Sequence, residues 1–370
     1  MRRRLLLVGL AAVLASCGPA ANAPRERFVL PKRATLRAAA ESLAAHHIIA
    51  SPRRFLLMAH LYGLFLPHYR GLDRHLIPGR YEFAHGEGTR TILDAMLKGK
   101  TKDDFFTVPE GATIWEMAHA AHVELGMDSA AFVRATRDTV LRDELGLPRR
   151  DRDVEGYLFP DTYRVIFGAS AAQLVAQMVE RFRAVWDTAW DARAKALGLS
   201  RNQLMTLASI VEAEAQVDSE RRIIASVYLN RLRRRPPMKL QADPTVIYAL
   251  GRHVQRVLLR DLKVRSPYNT YLHYGLPPGP IDSPGRASIL AALWPARTPY
   301  YYFVARPDGS HMFSRTGAEQ LDSVRVARQL WAAAAAARRD SIREAQGEST
   351  AVRLARRDSL GTAAGSEQQP

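Results

Sequence analysis

The spacing of apolar positions divides the chain into short strand, turn and helix units at its front and longer helices behind them. Phe28-Val29-Leu30 reads as a short strand leading into a small helix over Leu36 to Ala45. A second helical stretch, Pro52 to Phe65, is apolar all round. The run Ile77-Pro78-Gly79-Arg80-Tyr81-Glu82-Phe83 is a turn feeding a strand, with a helix over Thr91 to Leu97 after it. Phe106-Thr107-Val108-Pro109-Glu110-Gly111 repeats the unit loosely, ahead of a helix over Ile114 to Leu125. Strand, Pro/Gly turn and helix recurring in this way predict an α+β fold whose front consists of small modules of the kind that bind glycans.

From Asp128 to Gly198 the pattern is mostly helical, broken by the aromatic block Glu155 to Tyr163, in which Gly156 and Pro160 both oppose a helix interior. Ser200 to Ala215 is the clearest helix. Ser200 and Gln203 form a capping box, and Leu204, Leu207, Ala208 and Val211 fall at i, i+3, i+4 and i+7. A helix over about Ser219 to Arg234 follows, then one opened by Asp243-Pro244, with Asp243 as N-cap, and closed at Gly251. Tyr300 to Val304 is a compact aromatic strand. Beyond Leu321 the chain becomes an Ala/Arg-rich helix, and past about Gly347 a polar tail expected to be disordered.

With 370 residues, two domains plus terminal extensions are expected. Arg2, Arg3 and Arg4 precede an apolar run, Leu5 to Leu14, that is too short to span a bilayer comfortably, which is the pattern of an export signal. The run closes on Leu14-Ala15-Ser16-Cys17, similar to a bacterial lipobox, and Cys17 is the single cysteine of the chain. Two acyl chains on Cys17 would suffice to hold the protein at a membrane; the competing reading is a short uncleaved membrane anchor. One cysteine excludes an internal disulfide framework and a cysteine-built metal cluster, and no metal or cofactor is expected. The formal charge is +16, and the exported part stays strongly basic without the three signal-region arginines. An exported basic chain meets anionic lipid and the carboxylates of peptidoglycan stems rather than nucleic acid, although an arginine-rich genome would give the same charge.

Glu212 and Glu214 flank the apolar stripe of the helix from Ser200 on opposite sides, so periodicity alone does not choose between them. The run LASIVEAEAQVDSERRIIASVYLNRL from Leu207, then LQADPTVIYALG from Leu240, resembles the endolytic murein transglycosylase, or YceG-like, family. So do EGYLFPDTY from Glu155, SPYNTYLHYGLPPGPI from Ser266 and YYFVARPDGSHMF from Tyr301. These blocks cover Glu155 to Phe313 in the family's order, and the modules before them look like its LysM-like region. The residue pattern gives 1–17 as signal, lipobox or anchor and 18–27 as linker, and the resemblance implies 28–127 as LysM-like modules and 128–330 as a YceG-like catalytic domain. An Ala/Arg-rich helix and tail would complete the chain over residues 331–370.

The glutamate after Ser-Ile-Val is catalytic in that family, which places the role on Glu212. In that family the carboxylic acid protonates the glycosidic oxygen between N-acetylmuramic acid and N-acetylglucosamine. The carboxylate then takes the proton of the muramic acid's C6 hydroxyl, closing a 1,6-anhydro ring on nascent strands without water. To begin as an acid, Glu212 is expected to sit partly desolvated. Glu155, Tyr157, Gln241, Tyr268 and Asn269 are candidate glycan contacts by residue type: carboxylate and amides for hydroxyl and N-acetyl groups, aromatic rings for sugar faces. Buried-turn, packing and turn-forming roles compete with each. Ser283 departs from the family's usual Asn, a histidine near Gln320 is missing, and the family usually has a plain transmembrane anchor rather than a lipobox. Partners implied are peptidoglycan, a membrane and peptidoglycan synthases, in a periplasmic setting at the cell envelope. Two readings stay open beside this one: a hydrolytic muramidase with Glu155 as second carboxylate, and a non-catalytic glycan-binding scaffold. The lipobox reading predicts that a metabolic fatty-acid label tags the wild type and not Cys17→Ser; equal labelling of both would exclude it.

Overall fold

The computed structural model describes residues 19–364 apart from 21, 100–103, 149–152, 252–253 and 255–256. The expectations for Cys17 and the apolar run before it therefore lie outside the described residues. The fold is mixed α+β with small two-stranded antiparallel sheets, and it divides into two compact units. One comprises the chain up to Val108 with Ala118–Ala135 and Asp161–Gln177; the other comprises Pro109–Met117, Thr136–Pro160 and the chain from Met178.

In the first unit, β1 (Arg25–Leu30) pairs antiparallel with β2 (Gly79–Ala84), setting Phe28 opposite Tyr81. Between them in sequence come two longer helices, then a 3-10 turn and the short helix Leu72–His75. Leu36–Ala45 starts where Thr35 Oγ1 accepts the Ala38 N–H, and Pro52–Phe65 starts at Ser51 with proline at its first position, where no intrahelical N–H is needed. Phe28, Leu43, Phe55, Tyr81, Ile92 and Met96 form the core. The helix that reads as apolar all round turns Phe55, Ala59 and Tyr62 inward and leaves Leu57, Leu64 and Phe65 exposed. A second sheet pairs β3 (Asp104–Thr107) with β4 (Thr162–Val165), Phe106 opposite Tyr163.

The second unit is organised on the helix Arg201–Glu214. Its capping box forms as expected: Ser200 Oγ accepts the Gln203 N–H at 3.2 Å and Gln203 Oε1 accepts the Ser200 N–H at 2.9 Å. The amphipathic stripe does not describe its environment, because every residue from Leu204 to Val211 is buried. Polar members are tolerated because their hydroxyls bond the helix itself: Thr206 donates to the Asn202 carbonyl and Ser209 to that of Thr206. Packed on this helix are Arg221–Arg233, Asp243–Leu250 and Arg286–Leu293. Asp243 does not cap the backbone of its helix; its carboxylate accepts the Tyr271 hydroxyl instead.

The turn-rich block at Glu155 is a buried turn. Gly156 has φ +84°, and a Cβ there would collide with the ring of Pro280, so glycine is required on both counts. A hairpin of β5 (Tyr302–Ala305) and β6 (His311–Ser314) is tied down where Glu220 accepts the His311 N–H at 3.1 Å and meets its Nδ1 at 2.7 Å. The last helix, Gly317–Ala364, continues well past Gly347, where a disordered tail is expected from composition. Its Ala, Arg, Glu and Gln content favours helix, and no proline interrupts it.

Candidate active site

Glu212 lies in the last turn of the central helix, just where the chain leaves the core. A carboxylate there meets the negative end of the helix dipole. Two donors offset this: Arg221 Nη1 reaches Oε1 at 2.9 Å and the Gly285 N–H reaches Oε2 at 2.9 Å. The pair is largely withdrawn from solvent, with side-chain exposure of 11% for Arg221 and 8% for Glu212. Arg221 is itself fixed, since its Nη1 also donates to Ser288 Oγ at 2.6 Å and its Nε to Asp218 at 3.0 Å.

The segment Ile281–Gly285 runs along the same helix face and is pinned at both ends, Ile281 N–H to Ser209 Oγ at 3.0 Å and Gly285 N–H to Glu212. On its other side it pairs with the Glu110-Gly111 turn, where Gly111 N–H donates to Ser283 O at 2.8 Å and Ser283 N–H to Ala112 O at 3.0 Å. Gly111 has φ +77°, and a side chain on it would touch Glu212 Cγ at 3.6 Å. The carboxyl end of Glu110 packs on Gly285 so closely that any Cβ there would collide with it. Partial burial, then the nearby charge of Glu212, raises the Glu110 pKa above the ordinary carboxyl value.

Two clefts open beside this cluster. One, of 320 Å³, is lined by Gly111, Trp115, Ala213, Tyr248 and Asp282. Trp115 and Tyr248 also line the second, of 490 Å³, which adds Glu155, Asn202 and Tyr268. The two clefts thus share an aromatic wall, of which Trp115 is 57% exposed. Asp282 is 5% exposed, and its Oδ1 has no hydrogen-bond partner; burial, then the charge of Glu212, pushes its pKa well up.

The description "YceG-like family" fits a family model that matches residues 28–326. The chain belongs to the YceG-like family. It is 33% identical over 302 residues to the endolytic murein transglycosylase of Bacillus subtilis strain 168, across 78% of this chain and 80% of that one. It is 29% identical over 278 residues to the endolytic murein transglycosylase of Streptococcus pneumoniae D39, across 66% of this chain but only 49% of the relative. The crystal structure of a yceG-like protein from Listeria monocytogenes superposes with a TM-score of 0.58 at 29% identity, covering 80% of this chain and 98% of that one.

Within this family member, the residues singled out from sequence fall in different places. Glu155 and Tyr268 line the same cleft, with the Tyr268 ring 4.8 Å from that of Tyr248. Glu155 is 5% exposed and accepts the Ile114 N–H at 3.1 Å and the Tyr248 hydroxyl at 3.3 Å. Tyr157 borders that cleft but is 1% exposed, with its ring edge-on to Phe182 at 4.9 Å and its hydroxyl on Asn202 Oδ1, so no ring face is open to a sugar. Asn269 is fully buried. Its amide donates to the Leu262 and Val264 carbonyls at 2.9 Å each and accepts the Tyr271 N–H, so it shapes a turn rather than meeting solvent. Gln241 is exposed, has φ +49°, and borders neither cleft. Glu214 accepts the Tyr228 hydroxyl at 2.7 Å, and burial lifts its pKa to about 7.

Arg221, Gly285, Glu110, Trp115 and Tyr248 were not singled out by sequence reasoning. Arg221 stands among several arginines, and only the packing of its helix reveals which one reaches Glu212. Burial, then the charge of Asp153, pushes the Glu155 pKa from 4.5 up to about 8. As pH rises through that window the unfolded chain loses this proton while the folded one keeps it, so stability falls with rising pH. One such proton sets a limit of about 1.4 kcal/mol per pH unit. Glu155→Gln removes the contribution, so its melting temperature relative to wild type should climb from pH 5 to pH 8. Parallel pH dependences for the two proteins in differential scanning calorimetry would contradict this.

Proposed function

We propose that the protein cuts peptidoglycan glycan strands internally at the N-acetylmuramic acid to N-acetylglucosamine bond, leaving 1,6-anhydro-muramic acid ends and so terminating strand elongation. The observation that carries this reading is the Glu212 carboxyl, held between Arg221 and the Gly285 N–H beside clefts with an exposed aromatic wall. The relatives named endolytic murein transglycosylase support it. The reaction must deliver a proton to the glycosidic oxygen and remove one from the C6 hydroxyl. The hydroxyl belongs to the bound sugar, and its attack is intramolecular, with a large effective molarity, so no water need be activated. Glu212 accepts the hydroxyl proton, the role suited to a carboxyl whose two oxygens both already act as acceptors. The Trp115 and Tyr248 wall offers apolar faces for sugar rings.

The muramidase reading draws less support, because Glu155 is turned to the Ile114 N–H and the Tyr248 hydroxyl rather than free to hold a water. In the N-terminal unit, the helices between the paired strands β1 and β2 support a small glycan-holding, LysM-like role. Membrane attachment at the cell envelope through Cys17, and action beside peptidoglycan synthases, complete the reading. Among the described residues no helix is long and apolar enough to cross a membrane.

Digestion of purified peptidoglycan followed by mass spectrometry should give internal cuts whose muramic acid ends are lighter by one water than reducing ends. Glu212→Gln should fold and lose this activity by about 10²-fold or more, while Glu214→Gln stays substantially active. Reducing ends would place water as nucleophile, and full activity of folded Glu212→Gln would remove the assigned residue.

A further inference from the structure

The Glu212 carboxyl is not alone at the site. Gly285 is the common floor of two carboxyl groups: its N–H donates to Glu212 Oε2 at 2.9 Å, and the Glu110 carboxyl packs on its Cα. The turn carrying Glu110 is locked in place by the Gly111 and Ala112 backbone bonds to Ser283, and Gly111 itself sits against Glu212 Cγ. Glu110 is exposed as a residue, whereas the Glu212 side chain is largely withdrawn from solvent with Arg221.

These positions divide the labour of the reaction. Each oxygen of Glu212 already accepts one hydrogen bond, one from a guanidinium and one from a backbone N–H, which suits the group to receiving a proton through a remaining lone pair. A glycosidic oxygen needs a carboxylic acid that keeps its proton and reaches bound substrate. We propose that Glu110 is a second catalytic residue, the general acid that protonates the departing glycosidic oxygen, and that Glu212 acts as the base. The proposal rests on the transglycosylase reading above and assigns Glu110 a role that the single-glutamate account gives to Glu212.

The atoms balance without water. The Glu110 proton moves to the glycosidic oxygen as its bond to muramic acid C1 breaks, freeing the N-acetylglucosamine hydroxyl. The muramic acid O6 bonds to C1, and its proton passes to Glu212. Loss of that proton from Glu212 to solvent and uptake of one by Glu110 from solvent restore the starting state. The charged groups facing Glu110 are Glu212, Arg221 and Asp218; Arg221 opposes retention of the proton, while burial and the two carboxylates favour it.

The test is the pH dependence of turnover on purified glycan strands. In wild type, kcat should fall on the alkaline side as Glu110 loses its proton. Glu110→Gln, isosteric and at an exposed position, should fold, lose kcat by about 10²-fold with KM within a few-fold of wild type, and lose that alkaline limb. Glu110→Asp should recover part of kcat and restore an alkaline limb. A wild-type kcat and profile in Glu110→Gln would overturn the proposal, as would a loss confined to KM or an alkaline limb that survives the substitution. Reducing ends from the wild-type enzyme would instead overturn the transglycosylase reading itself, whatever Glu110 does.

Discussion

The bond on which the rest of this structure depends is the one between Arg221 and Glu212, completed by the Gly285 N–H. A carboxylate in the last turn of a helix, largely withdrawn from water, is costly unless charge and hydrogen bonds compensate it. Arg221 and the glycine amide supply that compensation from two different segments. To bring them there, the helix Arg221–Arg233 must pack along the central helix, and the Ile281–Gly285 segment must be held beside it. Much of the second unit can be read as the scaffold that keeps these three groups within hydrogen-bond distance.

The surrounding oddities follow from the same constraint. A Cβ on Gly285 would meet the mobile carboxyl end of Glu110 and displace it, whereas Gly156 must lack a side chain because its φ is +84° and the Pro280 ring occupies the space. Ser209 spends its hydroxyl on the Ile281 N–H, fixing the segment one turn before Glu212 does. The acidic groups that crowd the region, Glu110, Asp282, Glu155 and Glu214, all have raised pKa values, and burial is the first cause in each. Arg221 is the cation that bonds directly to Glu212.

How much of this was legible in the sequence depended on whether the signal was local. The helices Leu36–Ala45, Pro52–Phe65 and Ile114–Leu125 follow from spacing, and Arg201–Glu214 from spacing and its capping box, and the structure has them. Strand β4 was missed because four residues behind a turn carry little pattern, and its pairing with β3 is made at long range. The choice between Glu212 and Glu214 came from resemblance; spacing treated them alike because a stripe was assumed where the helix is buried all round. Tyr157 and Asn269 show the limit of residue type: an aromatic ring and an amide suit sugars equally well in a cleft and in a core, and only burial separates the cases. Glu110 and Arg221 could not be found by spacing, since what marks them is proximity to Glu212 across the fold.

The most direct measurement of the central claim, that Glu212 works because Arg221 holds it, is the turnover number of Arg221→Gln on purified glycan strands, taken on protein that still melts cooperatively. With its guanidinium gone, the Glu212 carboxyl loses its fixed position, and kcat should fall by about 10²-fold. A kcat equal to that of wild type would contradict the account.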